Sequence, residues 1–531
     1  MGFLFLRAII FGYFFSLDPS ESSSRSRAKD DVSGDIRPNV NGLSFLHSLP
    51  SCITFAFMYM TALLSIAISV LAQAPSAQPN LLVIVTDDMG YGDLSCYGSL
   101  QIPTPNIDLL AARGVRFTDA YVSSSVCSPS RAGIMTGRNG ARFGYEHNLH
   151  LAKNVTPEYI GIPLNEKLLP QYLSELGYRT GLVGKWHVGE SVDGHHPNNR
   201  GFDYFLGILS GSHPYWPEPG KHRIERNGVA VTEIGAPYLT DWFTDEAIEF
   251  TAAEGAEGKP WFLFLSYNTP HSPLQAKEED LEKFAHIKNL QRRKYCAMQS
   301  CMDGNVGRIV KSLEDRGELD NTLIVFLSDN GGSVEVSHAV NAPLRGGKGT
   351  FLEGGLRVPM IISWPKEISP QVYVEPVVAT DILGTLVGAA GGTAPQSKKK
   401  KIFDTVNLIP YLTGESDTSL PHEILFWRMS LRASAVREGD WKLLRPNSEF
   451  PQLYSLKDDP SELHNLIAEN HDVAEDLLNK LNQWEHSLER NPAIISTPQW
   501  SKYNAKLYAR EYLLEQPLPD DSGNHWKLKR K

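Results

Sequence analysis

The stretch NLLVIVTDDMGYGD holds five consecutive apolar residues, Leu81 to Val85, and then stops abruptly at Thr86, Asp87 and Asp88. A strand with one face in water alternates apolar and polar residues, so an unbroken run of this kind requires cover on both faces, as in a parallel sheet. The design recurs in TLIVFLSDNGG, where Leu323 to Leu327 lead into Ser328, Asp329 and Asn330, and in WFLFLSYNTPH, which delivers His271. A weaker fourth instance, YRTGLVGKWHVG, delivers Lys185 and His187. Helical patterns at Leu168 to Leu176 and Tyr295 to Leu313 lie between the runs. This alternation predicts an α/β fold: a large, mostly parallel sheet flanked by helices. Open sheets of that class place their sites beyond the carboxyl ends of the strands, which is where the polar groups cluster here.

Taken singly, Asp-Asp after a strand is a turn or a helix cap, DNGG a tight turn and His271 a loop histidine. The joint pattern carries more. Asp87, Asp88, Asp329 and Asn330 offer only oxygen ligands, the preference of a hard cation such as Ca²⁺ or Mg²⁺ and not of zinc, with calcium the first choice. Three carboxylates and a dication leave about one negative charge, which the positive charges of Arg131, Lys185 and Lys348 outweigh, so the pocket suits a small oxyanion. The whole chain has a formal net charge of −10, which argues against nucleic acid as a partner and provides no long-range attraction for an anionic substrate. In VCSPSRAGIMTGR, Val126 to Arg138, Cys127 stands at the mouth of a helix starting near Ser128 and Pro129; proline suits a first turn, and the free N–H groups there attract anions. A plain thiol is an odd choice at that point, because a nucleophilic cysteine works with a neighbouring base.

CSPSRAGIMTGR resembles the sulfatase signature, Cys-x-Pro-Ser-Arg followed by Thr-Gly-Arg. The segment from about Pro79 to Trp364 resembles the formylglycine-dependent sulfatases, of the arylsulfatase and N-acetylgalactosamine-6-sulfatase kind, in the alkaline-phosphatase-like superfamily. The resemblance implies that a formylglycine-generating enzyme oxidises Cys127 to an aldehyde, which hydrates to a geminal diol. It implies further that Asp87, Asp88, Asp329 and Asn330 hold one calcium ion faced by the modified Cys127, and that Arg131 holds the hydrated aldehyde. Lys185 and Lys348 match the lysines that bind sulfate oxygens, His187 the histidine that pairs with the diol and assists sulfate release, and His271 the one beside the leaving oxygen. No position departs from the pattern, which implies an active sulfuric ester hydrolase. Thr136 and Arg138 are assigned to structure and to recognition by the modifying enzyme. Two rivals are a phosphomonoester or phosphonate hydrolase of the same superfamily and a non-catalytic binder of sulfated glycans in which Cys127 stays unmodified. The expected substrate is a sulfated carbohydrate, with aryl sulfates turned over as well.

With 531 residues, 41% of them hydrophobic, the chain has room for a large domain and a smaller one. The apolar run Ile53 to Leu71 followed by Ala72-Gln73-Ala74 reads as a secretory signal, with a membrane anchor as the rival, so residues 1–74 are taken as leader and the protein as secreted or periplasmic. Ser16 to Asn41 reads as disordered, and Met58 or Met60 is an alternative start. Residues 75–415 are assigned to the catalytic domain. Residues 416–531 form a C-terminal subdomain in which ILFWR, ASAVREGDWKLLRP and QLYSLKDDPSELHNL are short antiparallel strands and Val473 to Leu488 an amphipathic helix. Cys52, Cys96, Cys127, Cys296 and Cys301 make no disulfide framework, and Cys296 and Cys301 read as buried free thiols. Lys398 to Lys401 reads as a solvated loop, and Asn154 in NVT as a glycosylation acceptor in a eukaryotic secretory host. His195, His196, His213, Tyr215 and Trp216 lie in loops where aromatics either stack on sugar rings or form a local core.

Overall fold

In the computed structural model the Leu81 to Val85 run lies within strand β1, Asn80–Thr86, and each of its side chains is fully buried. The reason for the unbroken apolar run is visible directly. Leu81, Val83 and Val85 enter one core, and Leu82 and Ile84 enter a second core on the opposite face. The first core takes Ala132, Ile134 and Met135 from the helix Cys127–Thr136; the second takes Met302, Val306, Ile309 and Leu313 from the helix Leu290–Asp315.

The structure describes residues 78–149, 161–190, 194–218, 223–253, 258–398, 401–418, 420–430, 432–447 and 449–488. The signal segment, the leader, Asn154 and the end of the chain after 488 lie outside them. No helix of the described residues is long and apolar enough to cross a membrane. After β1 come β2 (Val115–Phe117), β3 (Ala120–Tyr121), β4 (Arg179–Lys185), β5 (Tyr204–Ile208), β6 (Glu225–Arg226) and β7 (Val229–Ala230). They are followed by β8 (Trp261–Ser266), β9 (Thr322–Ser328), β10 (Met360–Ser363), β11 (Gln371–Tyr373) and β12 (Val377–Val378). Among the described residues ten of these strands form one sheet in the order β11-β2-β10-β9-β1-β8-β4-β5-β6-β7. The run β9-β1-β8-β4-β5 is parallel throughout, with Leu82 registered against Leu263 on one side and Ile324 on the other. Antiparallel pairs join β10 to β9 and to β2, and β6 to β5 and to β7. The four runs that end in polar residues are therefore four neighbouring strands, with their carboxyl ends at one edge.

The second sheet is antiparallel, in the order β13 (Ile424–Met429), β14 (Ala433–Glu438), β15 (Trp441–Pro446) and β16 (Gln452–Ser455). Its alternation sorts side chains to two faces, as a half-buried sheet requires. Val436, Leu443 and Leu453 pack with Ala474, Leu477, Leu481 and Trp484 of the helix His471–His486. Trp427, Ala435, Leu444 and Tyr454 pack with Phe351, Leu352 and Leu356, which follow Lys348 closely in the chain. The small sheet thus backs the loop that carries Lys348.

One ion pair in this region makes stability depend on pH. His422 Nε2 lies 2.8 Å from Asp381 Oδ2, and Asp381 also accepts the backbone N–H groups of Val378 (2.9 Å) and Val406 (3.0 Å). Burial alone lowers the imidazole, but the charge and hydrogen bond of Asp381 outweigh it and raise His422 above its ordinary 6.5. A raised histidine contributes stability that is fully present below its unfolded pKa and is lost as pH climbs through the folded one. In urea denaturation, His422→Gln is expected to cost on the order of 1 kcal/mol more at pH 6 than at pH 9. An equal cost at both would show that the pair is not ionic.

Candidate active site

The four neighbouring strands deliver their polar ends to one point. Asp87 and Asp88 follow β1, Asp329 and Asn330 follow β9, Ser266 ends β8 ahead of His271, and Lys185 ends β4 ahead of His187. Lys185 Nζ lies 2.6 Å from Asp87 Oδ2, and both side chains are fully buried. Lys348 Nζ lies 2.7 Å from Asp88 Oδ1 and 3.1 Å from Cys127 Sγ, while Arg131 Nε donates to Asp329 Oδ2 at 2.8 Å. Asn330 Nδ2 donates to Asp88 Oδ1 (2.7 Å), and the backbone N–H of Asp88 donates to Asp329 Oδ1 (3.3 Å). Cys127 Sγ is 3.5 Å from Asp87 Oδ1, and His271 Nε2 is 3.7 Å from Asp88 Oδ2. His187 lines the same cleft as Cys127, His271 and Lys348. All ten residues singled out in the sequence are thus brought to one place, across up to 261 positions of chain between Asp87 and Lys348.

Local structure explains the placement. The helix Cys127–Thr136 is buried along its whole length, with Pro129 in its first turn. Its N-cap, Val126, has no side-chain acceptor, and Asn148 Oδ1 instead takes the N–H of Ser128 at 2.9 Å. Arg131 is fixed from three sides, since Nη1 also donates to Ser266 Oγ and to Lys185 O. Asp88 (φ 67°) and His187 (φ 56°) sit in the left-handed region, a cost of about 1–3 kcal/mol each for a residue with a side chain, which functional sites tolerate when the surroundings hold them there. Two glycines make room. A Cβ on Gly211 would lie 2.6 Å from His187 Nε2, and Gly184, at φ +112°, would place one 1.9 Å from Ser266 O. Arg138, read as structural, is buried and pairs with Glu166 at 2.5 Å.

Charge follows from burial and neighbours. Burial pushes the Cys127 thiol up to about 12, with Lys185 and Lys348 opposing and Asp329 and Asp87 adding to it, so it carries its proton at neutral pH. Burial would raise Asp87 too, yet Lys185, with Arg131 and Lys348, holds it well below the usual carboxylate range. Asp329 is raised to about 6 by burial, against the pull of Arg131. Burial lowers His187 and His271, leaving both neutral, while Lys348 stays protonated because the charge and hydrogen bond of Asp88, together with its other neighbours Asp87 and Cys127, outweigh its desolvation. His271 Nδ1 lies 2.6 Å from the carbonyl of Ser272, which only accepts, so Nδ1 bears the hydrogen and Nε2 presents a lone pair toward Asp88.

Donor atoms of Asp87, Asp88, Cys127 and His271 lie within 4.8 Å of one another, close enough to share a cation. Asn330 Oδ1 is buried with no donor, and Arg131 Nη2 is buried with no acceptor. One orphaned acceptor and one orphaned donor beside Asp88 and Asp329 fit a site that holds both a hard cation and an oxyanion.

Around these groups lies a cleft of about 550 Å³ lined by Cys127, His187, His271 and Lys348 and also by Asn148, Leu209 to Ser212, Arg223 and Glu225. The loop aromatics divide. Tyr215 is fully buried, its hydroxyl 2.9 Å from His271 O, whereas Trp216 is 42% exposed. Cys296 and Cys301 are buried free thiols, as read. The sequence reading missed Ser266, Asn148 and Glu225; it named His196 as a loop residue but not its pairing, in which His196 Nε2 lies 2.6 Å from Glu225 Oε1. A lone serine at a strand end or asparagine in a loop carries no periodic signal that would single it out.

Comparison with known proteins points one way. Mouse "Arylsulfatase J" is 33% identical over 422 residues, spanning 74% of this chain and 69% of the relative. Dog "N-acetylgalactosamine-6-sulfatase" is 33% identical over 385 residues, 68% of this chain and 71% of its own. The solved structure of Ps i-CgsB in complex with k-i-k-neocarrahexaose superposes with a TM-score of 0.73 at 35% identity, covering 81% of this chain and 98% of that one. Phosphonate monoester hydrolase of Agrobacterium radiobacter shares the fold alone, at TM-score 0.57 and 21% identity over 77% of this chain and 95% of that one. A family model described as "N-sulphoglucosamine sulphohydrolase, C-terminal" matches residues 347–487. The model described as "Sulfatase" matches residues 79–392, more than half of the chain, and with the relatives above it establishes that this chain belongs to the sulfatase family, as an enzyme of sulfate ester hydrolysis.

Proposed function

We propose that this sulfatase works through a formylglycine made from Cys127 by a modifying enzyme, together with one calcium ion held by Asp87, Asp88, Asp329 and Asn330, and that its substrates are sulfated carbohydrates met outside the cytoplasm. The observation that carries the reading is the position of Cys127: a buried, protonated thiol at a helix start, 3.5 Å from Asp87 and 3.1 Å from Lys348. A thiolate nucleophile needs the opposite environment, one that lowers its pKa. When present, the hydrated aldehyde would supply two hydroxyls on one carbon and the dication would acidify them.

The chain's own residues do the rest. Lys185 and Lys348 neutralise Asp87 and Asp88 in this structure; with those carboxylates on a dication, their N–H donors are free for sulfate oxygens. Arg131 Nη2, buried without an acceptor, orients an oxygen at position 127. His187 and His271, both neutral, accept protons, and Lys348 holds at Nζ the proton that a departing alcohol oxygen needs. The cleft of about 550 Å³ supports a sugar-sized substrate beyond the sulfate, as does the similarity to a structure that holds an oligosaccharide. The Ile53 to Ala74 segment supports export.

The test is sulfate release from a panel of defined sulfated sugars, with a phosphate monoester as control. Release that falls at least about 100-fold on chelation and returns with calcium is expected. Undiminished release after chelation, or phosphate release exceeding sulfate release, contradicts the reading.

A further inference from the structure

The wall of the cleft carries a charged pair that the sulfate-handling groups do not use. Glu225, in β6, is a buried carboxylate, 1% exposed, with both oxygens engaged: Oε1 with His196 Nε2 at 2.6 Å, and Oε2 with Arg223 Nε at 3.0 Å and Nη2 at 2.9 Å. The His196 ring is itself held edge-on against Phe205, with centroids 5.5 Å apart, so the carboxylate has a rigid support. Glu225 therefore already accepts on both oxygens and serves as a clamp. Arg223 is the group presented. Its side chain is 60% exposed and lines the cleft, and among the described residues both Nη1 hydrogens and one on Nη2 have no partner. A guanidinium aligned in advance along one edge loses little freedom when its other edge meets an oxyanion, and its planar fork matches sulfate and carboxylate alike. Glu190 lines the same cleft, and the chain as a whole is negative, so attraction for an anion has to be local.

We propose that Arg223, clamped by Glu225, is a specificity-determining residue that binds a second anionic substituent, a sulfate ester or a carboxylate, on the saccharide whose sulfate is cleaved at position 127. The inference rests on the reading of that position as the site of sulfate ester hydrolysis.

The test compares the wild type with Arg223→Gln on three substrates: a disulfated monosaccharide, a monosulfated disaccharide bearing a uronate, and 4-nitrophenyl sulfate, which has no second anion. The variant is expected to lose on the order of 10- to 100-fold more kcat/KM, chiefly through KM, on a doubly anionic sugar than on 4-nitrophenyl sulfate. Loss confined to the disulfated sugar identifies the ligand as sulfate; loss confined to the uronate identifies it as carboxylate. Equal loss on all three substrates, or none, overturns the proposal. Failure of the hydrolase reading shows separately, as a wild type that releases sulfate from none of them. Calorimetric binding of the same sugars to Cys127→Ala and to Cys127→Ala with Arg223→Gln then still decides, since equal affinities overturn the role of Arg223.

Discussion

Replacing Cys127 by alanine is expected to reduce kcat for sulfate release by on the order of 10⁴-fold or more, the scale on which enzymes lose rate with their covalent nucleophile. The substitution removes one small buried atom group, 1% exposed, so it should cost only about 1 kcal/mol of stability and leave a folded chain. The size of the kinetic effect follows from the surroundings. Asp87, Asp88 and Lys348 all converge on Sγ. Cys127→Ser discriminates further. It places a hydroxyl in the same spot but cannot present two oxygens on one carbon, so it is expected to stop after at most a single turnover. Steady turnover by the serine variant, measured as sulfate released over many enzyme equivalents, would contradict the account.

The largest stability effect is expected far from the nucleophile in sequence. Lys442, in β15, is fully buried between Glu353 Oε1 (2.8 Å) and Glu462 Oε1 (2.9 Å). Glu353 Oε2 also accepts from Tyr121 at 2.6 Å, and Glu462 Oε2 accepts the backbone N–H of Glu353 at 2.6 Å. Lys442→Ala would leave two buried carboxylates without their cation and is expected to cost about 3–5 kcal/mol in urea denaturation. A cost below about 1 kcal/mol would show that the cluster is dispensable. Burial alone would raise Glu353, but Lys442, Arg357 and Arg437 hold it down at about 2, whereas burial raises Glu462, which accepts the first proton as pH falls. A depressed carboxylate stabilises above its unfolded pKa and loses that contribution as pH drops through the folded one. The Glu353 share of the wild-type advantage should therefore shrink below an ordinary carboxylate's 4.5 and vanish near 2. Because Glu353 opens the short helix Glu353–Leu356 that follows Lys348 by a few residues, the variant should lose activity along with stability.

These results sort what a sequence of this kind discloses. Unbroken apolar runs marked β1, β8 and β9 because burial on both faces leaves no other composition for a strand. Their polar ends marked the site because a parallel sheet sends successive strands to one edge. Even the weaker run at β4 was legible, since Lys185 and His187 closed the set. The alternation in β13 to β16 showed a sheet with two different faces, and the helix beside it was placed within two residues at each end. What stayed hidden depends on contacts between distant segments. Ser266 matters only because Arg131 reaches it, and Asn148 only because the helix start lacks its own cap. Tyr215 and Trp216 are neighbours of similar chemistry and both touch the Tyr238 ring, yet one is core and the other exposed: Tyr215 carries a hydroxyl that reaches the buried carbonyls of Asn268 and His271. The strands β2, β10 and β11, at three or four residues each, are too short to carry a pattern.

At the centre stands the claim that residue 127 acts as a carbonyl hydrate rather than as a sulfur nucleophile. Mass spectrometry of the peptide spanning Ser125 to Arg138, taken from protein active in its native host, tests this directly. The account predicts the mass of an aldehyde at position 127, lower than that of the cysteine peptide. An intact thiol throughout a preparation that turns over sulfate esters would contradict it.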